Sequence, residues 1–257
     1  MTGGWESAAA NGMVRCRALD AIARLVHGFA TRTGNADFGP PGGADCAQSE
    51  LRGRFARALG VPGAEFAEVR QVHADRVIVA AEAFPGTEAD AVVVSARTAG
   101  VLAAVRSADC VPVLLASDRW AAAVHAGWRG IAAGVCARAV ERLAERGEDP
   151  AGLVAAVGPA IGPCCYRVGP DCAAAVAGAA PGGPVWTVRG AEIYADLPEA
   201  CRRQLVAAGI RPGNVHRAPW CTACRTDLFH SYRREADRAG RGLSAIGFRP
   251  PAEFGRA

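Results

Sequence analysis

The segment Ser107 to Gly130, SADCVPVLLASDRWAAAVHAGWRG, gathers reactive side chains between two apolar runs. Val111 to Ala116 and Trp120 to Val124 are rich in β-formers or small residues and are separated by Asp118 and Arg119, a pattern that predicts two buried strands. Cys110 stands just before the first run and His125 just after the second, at strand ends, where loops held by a rigid sheet carry chemistry. Upstream, Arg70-Gln71-Val72-His73 precedes the apolar run Asp75 to Ala80, so His73 also lies at a strand edge. Two His and one Cys, with a fourth position left to water or substrate, is the donor count of a catalytic zinc. Their separation is too long for a local metal loop, so the fold must bring them together. Each residue also has a plainer reading: Cys110 as a small core hydrophobe, the histidines as hydrogen-bonded structure, or Cys110 as a nucleophile with His73 or His125 as its base.

Neighbouring residues extend these candidates. Asp109 is a proton carrier or else orients a ligand and caps a turn. Gly127 and Gly130 flank Arg129 at a helix start, where free backbone N–H groups and a guanidinium fork suit phosphate; the alternative is a tight strand-to-helix turn with a surface Arg. Gln71, Cys164, Tyr166 and Arg233 complete the substrate-binding candidates. Cys164 and Tyr166 belong to Gly158 to Gly169, whose Gly and Pro content suits close backbone approach to a ligand. Phe229 to Arg234 offers an aromatic face and two guanidinium groups to a base or a phosphate, or forms a salt-bridged surface turn.

The remaining cysteines call for a redox reading. Met1 to Gly12 has no basic region followed by an apolar one, so a cytoplasmic location with reduced thiols is expected. Cys221-Thr222-Ala223-Cys224 has the spacing of half a zinc knuckle or of a redox pair, but no second CxxC follows, and it is read as structural or incidental. Cys164 and Cys165 are adjacent and point apart in most backbone conformations, which favours a turn lining the pocket over a shared metal. One zinc per chain is therefore expected.

The elements that must position these groups follow from periodicity. Strands are predicted at Val14 to Leu19, His27 to Thr31, Val92 to Val94, Val101 to Val105, Leu153 to Val157, Asn214 to Arg217 and Leu243 to Phe248. Helices are predicted at Gln48 to Leu59, stopped by Gly60, at Ile131 to Gly147 and at Leu197 to Ala208. The strands between residues 92 and 124 stand too close for intervening helices, so the sheet is mixed and the fold class is α+β. Residues 1–12 are expected to be a disordered lead, 13–250 one catalytic domain and 251–257 a tail.

RQVH, SADC with VPVLLA, AAVHAGWRG, VGPAIGPCCYRVG and FHSYRR occur in one order across nearly the whole chain, which in this respect resembles the bacterial YfiH-type family. That family has been described both as a polyphenol oxidase, or laccase domain, and as a purine nucleoside phosphorylase. The resemblance implies two sheets packed face to face with helices outside, in a cysteine-hydrolase-like fold. It implies zinc bound by His73, Cys110 and His125 in a nucleoside site. It further implies phosphorolysis of adenosine, inosine, guanosine and S-methyl-5'-thioadenosine, with adenosine deamination as a second activity. Two departures stand out. Asn35 to Gly43 is shorter than the family's loop, and Arg52-Gly53-Arg54 replaces its Asn-Arg pair.

Composition limits the rivals. Five His are few for several coppers, which disfavours the copper oxidase alternative. All 29 basic residues are Arg, scattered along the chain, and the net charge of +4 is mild, so no nucleic-acid partner is expected. No run reaches the length of a membrane span, and no obligatory protein partner is expected. The expected partners are purine nucleosides and inorganic phosphate.

Overall fold

Short apolar runs, bounded by Gly, Pro and Asp, become strands of two six-stranded sheets, with a small third sheet beside them. The computed structural model describes residues 4–8, 12–33, 36–39, 46–84 and 86–251. The first sheet holds β1 (Trp5–Ala8), β2 (Met13–Cys16), β3 (Leu25–Ala30), β4 (Glu65–Ala67), β7 (Val101–Ser107) and β15 (Gly242–Phe248), in the order β1-β2-β3-β15-β7-β4. The second holds β5 (Val77–Val79), β6 (Ala91–Ser95), β8 (Val111–Ala116), β9 (Trp120–Ala126), β10 (Val154–Val157) and β14 (Val215–Arg217), in the order β14-β10-β8-β9-β6-β5. β11 (Arg167–Val168), β12 (Trp186–Arg189) and β13 (Glu192–Ala195) form the third. The helices are α1 (Arg17–Asp20), α2 (Cys46–Ala58), α3 (Trp128–Ala133), α4 (Val135–Ala144), α5 (Pro170–Gly178), α6 (Leu197–Ala207) and α7 (Tyr232–Glu235).

Period-two alternation assigns each strand face to a layer. Val92, Val94, Leu114 and Ala116 of the second sheet meet Phe29, Val105 and Ile246 of the first. The residues between them, Ala91, Val93, Val113 and Leu115, face Ile131, Val135, Val140, Leu143 and Leu205 on the helices. On the far side, Val26, Ala104 and Ala245 of the first sheet pack against Phe55 and Leu59. The result is the expected α+β architecture of face-to-face mixed sheets with outer helices. β8 and β9, apolar on both faces, are buried because both faces are covered.

Several expectations need correction. Residues 5–8, read as part of a disordered lead, form β1 against β2, and Trp5 is buried against Phe29 and Trp220. The strand expected over Val14 to Leu19 ends at Cys16, where the chain turns into α1. The single helix expected over Ile131 to Gly147 starts earlier, at Trp128, and breaks at Gly134, whose φ of 90° is the left-handed conformation that terminates helices. Of the shortened loop only residues 36–39 are described, and the expected tail beyond Pro251 lies outside the described residues. Among the described residues no helix is long and apolar enough to cross a membrane.

Candidate active site

Register in the second sheet brings the reactive groups to one end. Pro112 pairs with His125 in the β8–β9 hairpin, so Cys110 and His125 share that end. Ala91 pairs with Val124, which places Asp90 beside His125, and the His125 N–H donates to the Asp90 carbonyl at 2.7 Å. The loop entering β5, parallel to β6, returns His73 to the same place.

Asp90 was not singled out from sequence, yet it organises the site. Fully buried, its carboxylate accepts the backbone N–H groups of Val72, His73 and Ala74 at 3.2, 2.9 and 2.7 Å and the Nδ1–H of His125 at 2.8 Å. Burial alone would raise its pKa, but His125 and these N–H donors hold it below the ordinary carboxylate value. The carboxylate fixes the His125 tautomer and turns Nε2 outward, the usual arrangement behind a metal-ligating imidazole. It also holds His73 at a φ of 61°, a backbone conformation that disfavours a residue with a Cβ. Glu88-Ala89-Asp90-Ala91 carries no local signal that separates Asp90 from a surface carboxylate; its burial and partners come from the fold.

His73, Cys110 and His125 converge with their donor atoms within 4.8 Å of one another. Cys110 Sγ lies 4.0 Å from His73 Nε2, and the two imidazoles meet edge to face at 4.8 Å between centroids. Two nitrogens and one sulfur on rigid strand ends, with one side open, fit a tetrahedral metal that keeps a free position. Gly127 makes the approach possible: a Cβ there would stand 2.7 Å from His73 Cδ2 and 3.3 Å from Cys110 Sγ. A Cβ at Gly130 would lie 2.9 Å from the Ala74 carbonyl, so both glycines let the His73 loop close on the sheet. Burial opposes a Cys110 thiolate, but His125 outweighs it and lowers the thiol to about 6. Burial likewise opposes an imidazolium at His125, yet Cys110 and Asp90 raise it to about 9.

The three donors open into a cavity of about 550 Å³, the size of a small-molecule site. Gln71, Asp109, Tyr166, Arg129 and Arg233 line it, as do Trp128 and Tyr232 from the AAVHAGWRG and FHSYRR motifs, and Arg106 and Arg241, which the motifs do not mark. Gln71 spends its amide on β7, donating to the Arg106 carbonyl at 2.8 Å and accepting from the Arg106 N–H at 2.9 Å; it ties the His73 loop to the first sheet. Arg106 is buried and ion-paired with Glu68. Asp109, at a φ of 86°, accepts from the Thr222 and Ser231 hydroxyls at 2.6 and 3.0 Å and from the Arg233 N–H at 2.6 Å. Arg233 lies 5.0 Å over the Tyr166 ring and donates to the Cys165 and Arg167 carbonyls. Arg129 is exposed to the cavity, stacks 4.3 Å over Trp128 and has no carboxylate partner among the described residues. Gly127 precedes α3, a helix of six residues. Cys164 does not line this cavity. Its thiol turns away, toward Cys224 at 3.6 Å.

Against this geometry the relatives can be placed. A sequence model of the family described as multi-copper polyphenol oxidoreductase laccase matches residues 42–249, and the chain belongs to this laccase-like, YfiH-type family. The chain is 38% identical over 235 residues to a protein of Deinococcus radiodurans named purine nucleoside phosphorylase, covering 86% of this chain and 88% of that one. It is 31% identical over 212 residues to adenosine deaminase RL5 of an unknown prokaryotic organism, covering 77% of this chain and 80% of the relative. The crystal structure of YlmD from Geobacillus stearothermophilus superposes with a TM-score of 0.85 at 30% identity, over 96% of this chain and 99% of that one.

Proposed function

We propose that this protein is a zinc-dependent purine nucleoside phosphorylase acting on adenosine, inosine, guanosine and S-methyl-5'-thioadenosine, with adenosine deamination as a second activity. The observation that carries this reading is the convergence of His73, Cys110 and His125 in a nucleoside-sized cavity that also presents aromatic faces and Arg129, which has no carboxylate partner among the described residues. The names of the Deinococcus and RL5 relatives point the same way. His73, Cys110 and His125 would hold the zinc, which when bound would supply Lewis-acid activation of a water for deamination. The chain's own residues do the remaining work. Tyr166, Trp128 and Tyr232 offer ring faces for the base. Arg129 offers a guanidinium fork to phosphate, whose attack on the ribose anomeric carbon requires it to be held in line. The three hydrogen bonds on Asp109 support an orienting role: its carboxylate fixes the turn that carries Cys110 and the backbone of Arg233.

A copper oxidase, as the family's description has it, needs further donors. Among the described residues His27 Nε2 accepts from the Cys16 N–H and His230 Nε2 donates to the Ala36 carbonyl, so both serve structure. The lowered Cys110 thiol beside a raised His125 favours a second reading, a metal-free cysteine hydrolase. One experiment separates these readings: metal analysis together with turnover of a nucleoside panel with and without phosphate, before and after chelation. The proposal expects zinc, ribose phosphate as product and loss of both activities on chelation. Turnover that survives complete metal removal, or oxidation of phenols by a copper-loaded chain, overturns it.

A further inference from the structure

The geometry points to a second metal centre, a zinc held by Cys164, Cys165, Cys221 and Cys224 outside the nucleoside cavity. All four are free thiols, and their sulfurs lie within 4.8 Å of one another. Cys224 Sγ stands 3.6 Å from Cys164 Sγ and 3.4 Å from Cys165 Sγ. Four sulfurs at ~2.3 Å from a tetrahedral zinc stand ~3.8 Å apart, so the cage closes on an ion with small side-chain movements.

Two loops meet to make it. Thr222 N–H donates to the Ala160 carbonyl at 3.0 Å, which sets the CxxC turn alongside the Gly158 to Gly169 loop. Cys165 and Tyr166 both donate their N–H groups to the Gly162 carbonyl at 3.0 Å. That coil turns adjacent Cys164 and Cys165 to one side, against the expectation that they point apart, and it supplies the partners CxxC lacks in sequence. A second, independent feature marks a ligand: the Gly162 N–H donates to Cys221 Sγ at 3.2 Å. A backbone N–H aimed at a cysteine sulfur orients that sulfur as a ligand, the kind of outer partner that metal donors keep.

The surrounding charge suits such a centre. Zinc with four thiolates carries a net charge of about −2. Arg189 donates to the Pro163 and Cys164 carbonyls, Arg233 to those of Cys165 and Arg167, and Arg234 to those of Thr222 and Ala223. Three guanidinium groups thus hold the cage's own backbone and offset its charge. The donor set leaves no open position, so the centre is structural. It clamps the loop bearing Tyr166 to the turn bearing Thr222, whose hydroxyl donates to Asp109.

The test is metal content and zinc-edge X-ray absorption on the intact chain, purified with reductant and zinc. The expected result is about two zinc per chain, with an average of about 2.5 sulfurs per zinc: one from the first site and four from the second, divided between two ions. About one zinc with about one sulfur overturns the proposal. Cys221→Ser with Cys224→Ser is expected to remove about one zinc and bring the average to about one sulfur. Should that variant fail to fold, Cys110→Ala with His125→Ala leaves the cage intact and is expected to retain about one zinc with about four sulfurs. Absence of zinc from that chain, or four thiols found paired as disulfides in the freshly reduced and re-oxidised protein with no second metal, overturns it equally. These readouts do not depend on nucleoside turnover, so they stand apart from the activity assigned above.

Discussion

The two sulfur-bearing centres, barely a loop apart, are built on opposite principles. His73, Cys110 and His125 stand on strand ends of one sheet, and two residues of that centre, His73 and the adjoining Asp109, sit at positive φ. Such backbone costs about 1–3 kcal/mol per residue and persists because Asp90 gathers three N–H groups around His73 while Thr222, Ser231 and Arg233 hold Asp109. None of the four cage cysteines has positive φ, and their loops are set by turn and bridge hydrogen bonds. The open centre is rigid because buried carboxylates over-determine it. The closed cage has its donors on loops, where four sulfurs on one ion would supply the rigidity. An open position with buried support suits turnover, and a saturated donor set suits bracing.

The largest expected effect comes from removing a donor at the open centre. Cys110→Ala should abolish metal binding there and both nucleoside reactions, while a circular dichroism melt stays cooperative; retained turnover would break the contrast between a working and a bracing centre. Asp90→Asn comes next. It keeps the shape but removes the charge that accepts from four donors, and should weaken metal affinity by about 10–100-fold in a chelator competition.

Arg129→Lys keeps the charge and loses the fork, so the phosphate KM should rise about tenfold while deamination is unchanged. Equal loss of both would assign Arg129 to the nucleoside or the fold. Gly127→Ala should displace His73 and cost about 1–3 kcal/mol of combined stability and metal affinity, because its Cβ would meet the His73 ring and Cys110 Sγ. Metal affinity equal to that of the parent chain would show that the His73 loop is not pressed against the sheet.

The smallest effect sharpens what lies behind both centres. Burial would raise Glu235, but Arg234 and Arg32 hold it down to about 2. A depressed carboxylate adds stability that is complete above its unfolded value of 4.5 and disappears as pH falls from there toward about 2. Since the group is partly exposed, Glu235→Gln should cost only about 0.5–1 kcal/mol at neutral pH and should flatten that part of the acid-unfolding curve. An unchanged acid limb would show that the Arg234 network does not brace the loop behind the cage.

Much of the site is legible in the order of residues alone. Cys110 and His125 flank two apolar runs whose length and residue types favour buried strands, and a tight hairpin between such strands must bring their outer ends together. His73 is legible as a third donor only by residue type, since its placement depends on β5 lying parallel to β6. The ordered motifs point to the family by themselves. Asp90 escapes a local reading because nothing near it in the chain distinguishes it from a surface carboxylate; its four hydrogen bonds come from residues up to 35 positions away.

What the sequence by itself determined was the alternation that builds two sheets, the strand ends at which donors stand, and the Gly residues where those ends close. Only the tertiary structure decided that CxxC has partners. Cys164 and Cys165 lie 60 and 59 positions from Cys224, and their direction is set by the coil on the Gly162 carbonyl and by the bridge between Ala160 and Cys221. A short-range pattern records which backbone a stretch prefers, whereas which side chains share a point in space is settled by strand order and loop contact, and these are properties of the whole chain.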